Sequence, residues 1–110
     1  MASIDKIILF NETAVAASAN GDAYTARQRS KDHIGWLVVA NASSINGDAK
    51  IQHSADGTNW VDLASFTTFT SNTIEAVDIT TGVLGHVRAV YTRTGGTADI
   101  RIELCFDPNK

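Results

Sequence analysis

His86-Val-Arg-Ala-Val-Tyr-Thr-Arg-Thr-Gly-Gly-Thr-Ala-Asp-Ile-Arg-Ile-Glu-Leu-Cys-Phe-Asp107 is the stretch whose pattern decides the fold class. In its second half Ile100, Ile102, Leu104 and Phe106 fall on one side of an extended chain. Arg101, Glu103 and Asp107 fall on the other, with Cys105 among them. A period of two belongs to a strand with one buried and one wet face, not to a helix. Gly95-Gly96 separates two β-rich runs, and both glycines admit positive φ without a Cβ penalty, so the pair predicts a hairpin turn. A two-stranded ribbon is marginal in water, so its apolar side requires a second layer.

Outward from this stretch, residues 34–42 predict a central strand. Trp36, Leu37, Val38, Val39 and Ala40 leave it no wet face. One side can join the core, and the other needs a second layer, a loop or another subunit to cover it. Residues 50–54 and 60–64 flank Ala55-Asp56-Gly57-Thr58-Asn59 and predict a hairpin with a loop longer than two residues. Asp accepts local backbone hydrogen bonds there, and Gly permits left-handed φ. Residues 73–80 read as a strand, and residues 66–70 as an extended connection or a further strand. Asn20-Gly21-Asp22, Asn46-Gly47-Asp48 and Thr81-Gly82 predict turns. Pro108 ends the last strand, where a missing ladder donor costs least.

Residues 4–10 enter a first strand. Residues 11–20, in which Val15 is the one larger apolar side chain, read as an arm or loop, with a short helix as the lesser alternative because the alanines favour it. Residues 23–29 form a charged edge strand that discourages sheet extension. The sum is roughly eight short β segments with no amphipathic helix, which an antiparallel two-sheet sandwich of jelly-roll-like type buries most simply. Residues 1–20 are set apart as an N-terminal strand or arm and residues 21–110 as the sandwich body, within one domain overall.

The 110 residues suffice for one core but not two. A hydrophobic content of 44% argues against disorder, and a net charge of -3 argues against a phosphate-neutralising surface, so no direct nucleic-acid contact is expected. Cys105 is the sole cysteine, which removes any intrachain disulfide and suits a cytosolic folding compartment. No signal-peptide pattern is evident at the N-terminus. The longest strongly apolar run, residues 36–40, is far too short for a membrane helix.

No catalytic, metal or cofactor site is expected. His33, His53 and His86 lack ligand spacing, although His53 and His86 could meet across strands. Asp56, Asn59 and Asp62 lack the ligand series of a calcium loop, and the first two have turn roles. Ser54 has no nucleophile elbow, Cys105 has no placed base, and Gly95-Gly96 has no following lysine and helix for phosphate. Recognition residues are better marked. Trp36 and Trp60, alongside Tyr24 and Tyr91, are aromatic anchors for a protein interface if exposed, and core residues otherwise. Core is the first expectation for both tryptophans, less strongly for Trp60. Arg27, Arg29 and Lys31 form a basic edge that is either solvated or a contact for acidic protein or phosphate.

The segment Ile51-Gln-His-Ser-Ala-Asp-Gly-Thr-Asn-Trp-Val-Asp-Leu63 resembles a hairpin of small β-sandwich proteins in tailed-phage particles. The chain as a whole resembles a phage capsid decoration, or cement, protein. This resemblance implies a virion structural protein on the outer capsid surface, made in the host cytoplasm. It implies binding to major capsid protein junctions, with copies arranged as a homo-oligomer or as symmetric lattice neighbours, and no chemical step. Similar hairpins occur in carbohydrate-binding modules and in tail or adhesion domains. The alternative is therefore a noncatalytic sugar- or receptor-binding module that stacks sugar on Trp60, with Asp56 and Asn59 meeting its hydroxyls.

Overall fold

The computed structural model describes residues 5–25 and 33–106. Seven strands follow in chain order: β1 Asp5–Val15, β2 Ala19–Asn20, β3 Tyr24–Thr25, β4 His33–Ser54, β5 Val61–Ser65, β6 Thr73–Ile79 and β7 His86–Phe106. All pairings are antiparallel. Two strands dominate: β4 is 22 residues long and β7 is 21, and they pair with each other from end to end.

Each long strand serves two layers. The first half of β4 lies between β6 and the second half of β7, which in turn pairs with β1. The second half of β4 lies between β5 and the first half of β7, which carries β2 and β3 on its far side. We call these layers one and two. Between them the β4–β7 ladder slips register at Ala40/Ser43, Ser43/Asn46 and Asn46/Gly47. Such bulges bend a strand and increase its twist. The fold is thus an all-β, antiparallel, jelly-roll-like sandwich made by bending one sheet over on itself.

This corrects two turns expected from the sequence. Gly95-Gly96 and Asn46-Gly47-Asp48 do not reverse the chain; β7 and β4 run through them. Each strand already has a partner alongside, so the permissive residues bend the ladder instead of ending it. Positive φ gathers at the bend: Ala14 (47°), Asn41 (52°), Ser44 (52°) and Gly96 (73°). The Asp99 carboxylate joins three strands there, accepting from the Ala14 backbone N–H at 2.9 Å and from Asn41 Nδ2 at 2.6 Å. Gly47 serves a different need. A Cβ on it would lie 2.8 Å from Tyr91 Cε1, because the Tyr91 and Phe69 rings stack over it with centroids 6.1 Å apart.

The remaining expectations divide. The loop around Asp56-Gly57 joins β4 to β5, and residues 73–79 are β6, as the pattern predicts. Residues 66–69 are an extended connection along β4: Phe66 N–H donates to Ala49 O at 3.0 Å, and Phe69 bridges Gly47 in both directions. Residues 11–15, expected in an arm or loop, continue β1 against β7. β2 ends at Asn20 and β3 begins at Tyr24, and both pair with β7. Of the edge expected at residues 23–29, only Tyr24–Thr25 is a described strand, and Pro108 lies outside the described residues.

The alternation of β7 holds on its inner side, where Ile100, Ile102 and Leu104 are fully buried beside Leu37 and Val39 of β4. The layers meet closely at Gly35, where a Cβ would touch Ile51 and Phe66 at 3.3 Å. Tyr91 is 1% exposed, and its hydroxyl has no hydrogen-bond partner among the described residues. Burial raises the pKa of that phenol. A buried, unpaired hydroxyl carries an uncompensated desolvation cost.

Two stability measurements follow. Gly96→Ala places a Cβ 2.1 Å from Ser44 O at positive φ, whereas a Cβ at Gly95 meets nothing within 4 Å. Urea unfolding should show Gly96→Ala losing about 3 kcal/mol or more and Gly95→Ala losing less than about 1 kcal/mol. In the same assay Tyr91→Phe should gain about 1 kcal/mol, since it removes the unpaired hydroxyl and keeps the stacked ring.

Candidate functional site

The two outer faces differ in chemistry because alternation hands each a different set of side chains. On layer one, the even-numbered residues of β4 point outward. Register places Asp78, Ile34, Cys105 and Lys6 on one rung, Ala76, Trp36, Glu103 and Ile8 on the next, and Ile74, Val38, Arg101 and Asn11 on a third. Ile8 is 41%, Ile34 40% and Ile74 67% exposed, and Trp36 is half-buried between Ala76 and Glu103. The second face of residues 34–40, which the sequence leaves without a wet side, is therefore an outer surface of the molecule.

Glu103 sits inside this apolar surface with its side chain 4% exposed. Arg101 Nε reaches its carboxylate at 3.1 Å and Lys6 Nζ at 3.5 Å. Burying a carboxylate costs free energy unless it is paired, and two cations flank this one. The expectation of a wet outer side on β7 is corrected here, because Trp36 and Ile8 flank Glu103 on its rung and shield it. Beside it, burial and then the Glu103 charge raise the Cys105 pKa, which favours the thiol over the reactive thiolate.

Layer two presents a polar face. Arg88 donates from Nε and an NH2 group to Gln52 Oε1 at 2.9 and 2.8 Å. Gln52 Nε2 donates to Asp62 Oδ1 at 3.0 Å, and Lys50 Nζ lies 3.2 Å from the same oxygen. The Arg88 guanidinium carbon stands 4.4 Å from the Trp60 ring centroid, a cation–π contact that occupies one indole face. Trp36 and Trp60 are thus both half-buried on outer faces, one on each layer, which corrects the expectation that they form the core. The structure does not bring them together.

The residues chosen for a sugar site are committed to their own loop. Asp56 Oδ1 accepts from the backbone N–H groups of Thr58 and Asn59, each at 2.8 Å, and from Ser54 Oγ at 2.9 Å. Asn59 Nδ2 donates to Asp56 Oδ2 at 2.7 Å. Arg27, Arg29 and Lys31 lie outside the described residues. The histidines are separated: Ser54 pairs with His86 and His53 with Val87, so His53 and His86 occupy adjacent rungs and opposite faces. His53 Nδ1 accepts from the Leu84 N–H at 3.1 Å, and burial lowers its pKa. His33 is buried against Phe106 at the far end of layer one. Among the described residues no three His, Cys, Asp or Glu side chains gather as a metal-binding group.

Hydrogen bonds from Asn59, Thr58 and Ser54 hold the Asp56 carboxyl well below the usual carboxylate range. A group with a depressed native pKa adds stability above its unfolded pKa of about 3.9 and loses it as pH falls toward the native value. Urea unfolding of the native protein should therefore weaken below about pH 4 more steeply than that of Asp56→Asn, which cannot lose a charge there.

Comparison with known protein families and with curated proteins gives no match. Solved structures do match. VP2 of infectious bursal disease virus, in a subviral particle, superposes with a TM-score of 0.53 at 15% identity over 98% of this chain. A structure of the Gt strain of the same virus gives 0.47 at 13% identity over 99%. The chain spans about a third of those chains' length, 33% and 34% respectively. At this distance the VP2 likeness concerns the fold, and its fold is the jelly-roll-like all-β sandwich described above.

Proposed function

We propose that this chain is a noncatalytic virion structural protein that decorates and stabilises the icosahedral capsid of a tailed phage. It binds at junctions between major capsid proteins on the outer surface, after synthesis in the host cytoplasm. The observation that carries this reading is the outer face of layer one, where Ile8, Ile34, Trp36 and Ile74 offer apolar surface to a protein. Contiguous exposed apolar surface marks protein interaction sites, and indole rings are frequent anchors within them. The fold shared with VP2, taken from a subviral particle, supports a place in a viral shell.

Attachment needs no tight single contact. Once one subunit of a symmetric set is bound, its neighbours' contacts become effectively intramolecular, so modest interfaces sum to firm retention. Such a mechanism draws on the sheet faces and requires no pocket. The sugar-binding alternative loses ground on geometry: Asp56 and Asn59 are bonded to their own loop, and Arg88 covers one face of Trp60.

Co-sedimentation of the full chain with expanded phage capsids checks the proposal. Saturable binding that follows the symmetry of the shell is the expected result. Failure to bind authentic capsids would remove the decoration role, and assembly of the purified chain into closed shells by itself would make it a shell-forming protein instead.

A further inference from the structure

We infer that the outer face of layer one pairs, face to face, with the same face of a second copy of this chain. Three of the large hydrophobic side chains most exposed to solvent, Ile8, Ile34 and Ile74, stand on this one sheet surface around Trp36. The charges of the face sum to zero, Glu103 and Asp78 against Arg101 and Lys6, with Arg101 and Lys6 both reaching Glu103. A strongly charged partner would therefore find no net charge on the face. An apolar surface suits it better.

Charge at the margins selects the partner. Asp78 on β6 and Lys6 on β1 end the same rung, at opposite sides of the four-stranded face. A two-fold axis in the interface plane, parallel to the strands, exchanges the two margins. Asp78 of each copy then opposes Lys6 of the other, so the contact occurs twice, as an isologous dimer requires. Stacking of sheets with strands close to aligned is the ordinary geometry for such faces.

Size sets the strength. Four strands about 4.8 Å apart and seven residues long give a patch of about 20 by 23 Å. Counted on both copies that is about 900 Å² in total, below the roughly 1,200 Å² of stable specific interfaces and in the range of weak, transient pairs. The pair is therefore reversible, assembling and separating with concentration. Self-pairing covers the face on which the capsid reading rests, so the reversible pair must separate before that face meets a shell.

Sedimentation velocity of the full chain over a concentration series tests it. The native protein should show a monomer–dimer equilibrium. Ile74→Lys, at a position 67% exposed and so tolerant in the monomer, should weaken it at least about tenfold. Asp78→Lys should weaken it less, and adding Lys6→Asp to Asp78→Lys should recover the loss, with circular dichroism melting confirming that each variant folds. Because Lys6 also touches Glu103, the ionic-strength dependence of native dimerisation gives a second reading: added salt should weaken the pair.

A native protein that stays monomeric up to about 1 mM overturns the inference, as does a dimer indifferent to Ile74→Lys. Capsid binding abolished by Ile74→Lys in a protein that never dimerises would also overturn it, and would leave the face to the major capsid protein alone. A dimer that obeys the variants but ignores capsids leaves this inference standing and removes only the decoration role.

Discussion

Everything in this molecule depends on two long strands bending at the same level. β4 and β7 stay paired from His33 to Ser54 and from His86 to Phe106, so neither can bend unless the other follows. Gly96 makes the shared bend possible: it lies so close to the Ser44 carbonyl that no side chain fits, and its φ of 73° suits glycine. Asp99 fastens the outside of the corner by bonding both Ala14 and Asn41, and these bonds, that to Asn41 foremost, lower its pKa. Among the described residues, the three non-glycine residues at positive φ all lie in this region. Strain of that kind persists where the surrounding structure over-determines it, and here the sheet does so.

Because one sheet makes both layers, its two outer faces are halves of a single surface that has been folded outward. Their chemistry nevertheless diverges. Layer two is polar and linked by the Lys50, Gln52, Asp62 and Arg88 side chains, with Trp60 lying against Arg88. Layer one is apolar and encloses a carboxylate with its own counterions. A face that exposes Ile8, Ile34 and Ile74 around charges that sum to zero, with Asp78 and Lys6 at opposite margins, has more use for a protein surface than for water. That difference is what the proposed attachment to a shell draws on.

The comparison with VP2 fits the same physical account without deciding it. A sandwich with short edges and two broad faces is a common scaffold whose function resides in the faces. At 15% identity a superposition carries over the fold and not the chemistry of the faces. Residues specific to this chain therefore carry the weight, chiefly Trp36, Ile74, Glu103 and the Lys6–Asp78 rung.

Strand character, the buried row Ile100, Ile102 and Leu104, the β4–β5 loop around Asp56-Gly57 and the double-sided apolar nature of residues 34–40 were all legible in the sequence, because each is a local consequence of side-chain period or turn chemistry. Tertiary structure alone decided whether Gly95-Gly96 and Asn46-Gly47 would reverse the chain or bend it. A glycine pair permits both, and pairing between residues some fifty positions apart selects the bend. Tertiary structure also placed Trp36 outside, shielded Glu103 on an outer face and put His53 and His86 on opposite sides of a sheet. Each of these depends on which strand lies alongside and in what register, and no local pattern of residues encodes that.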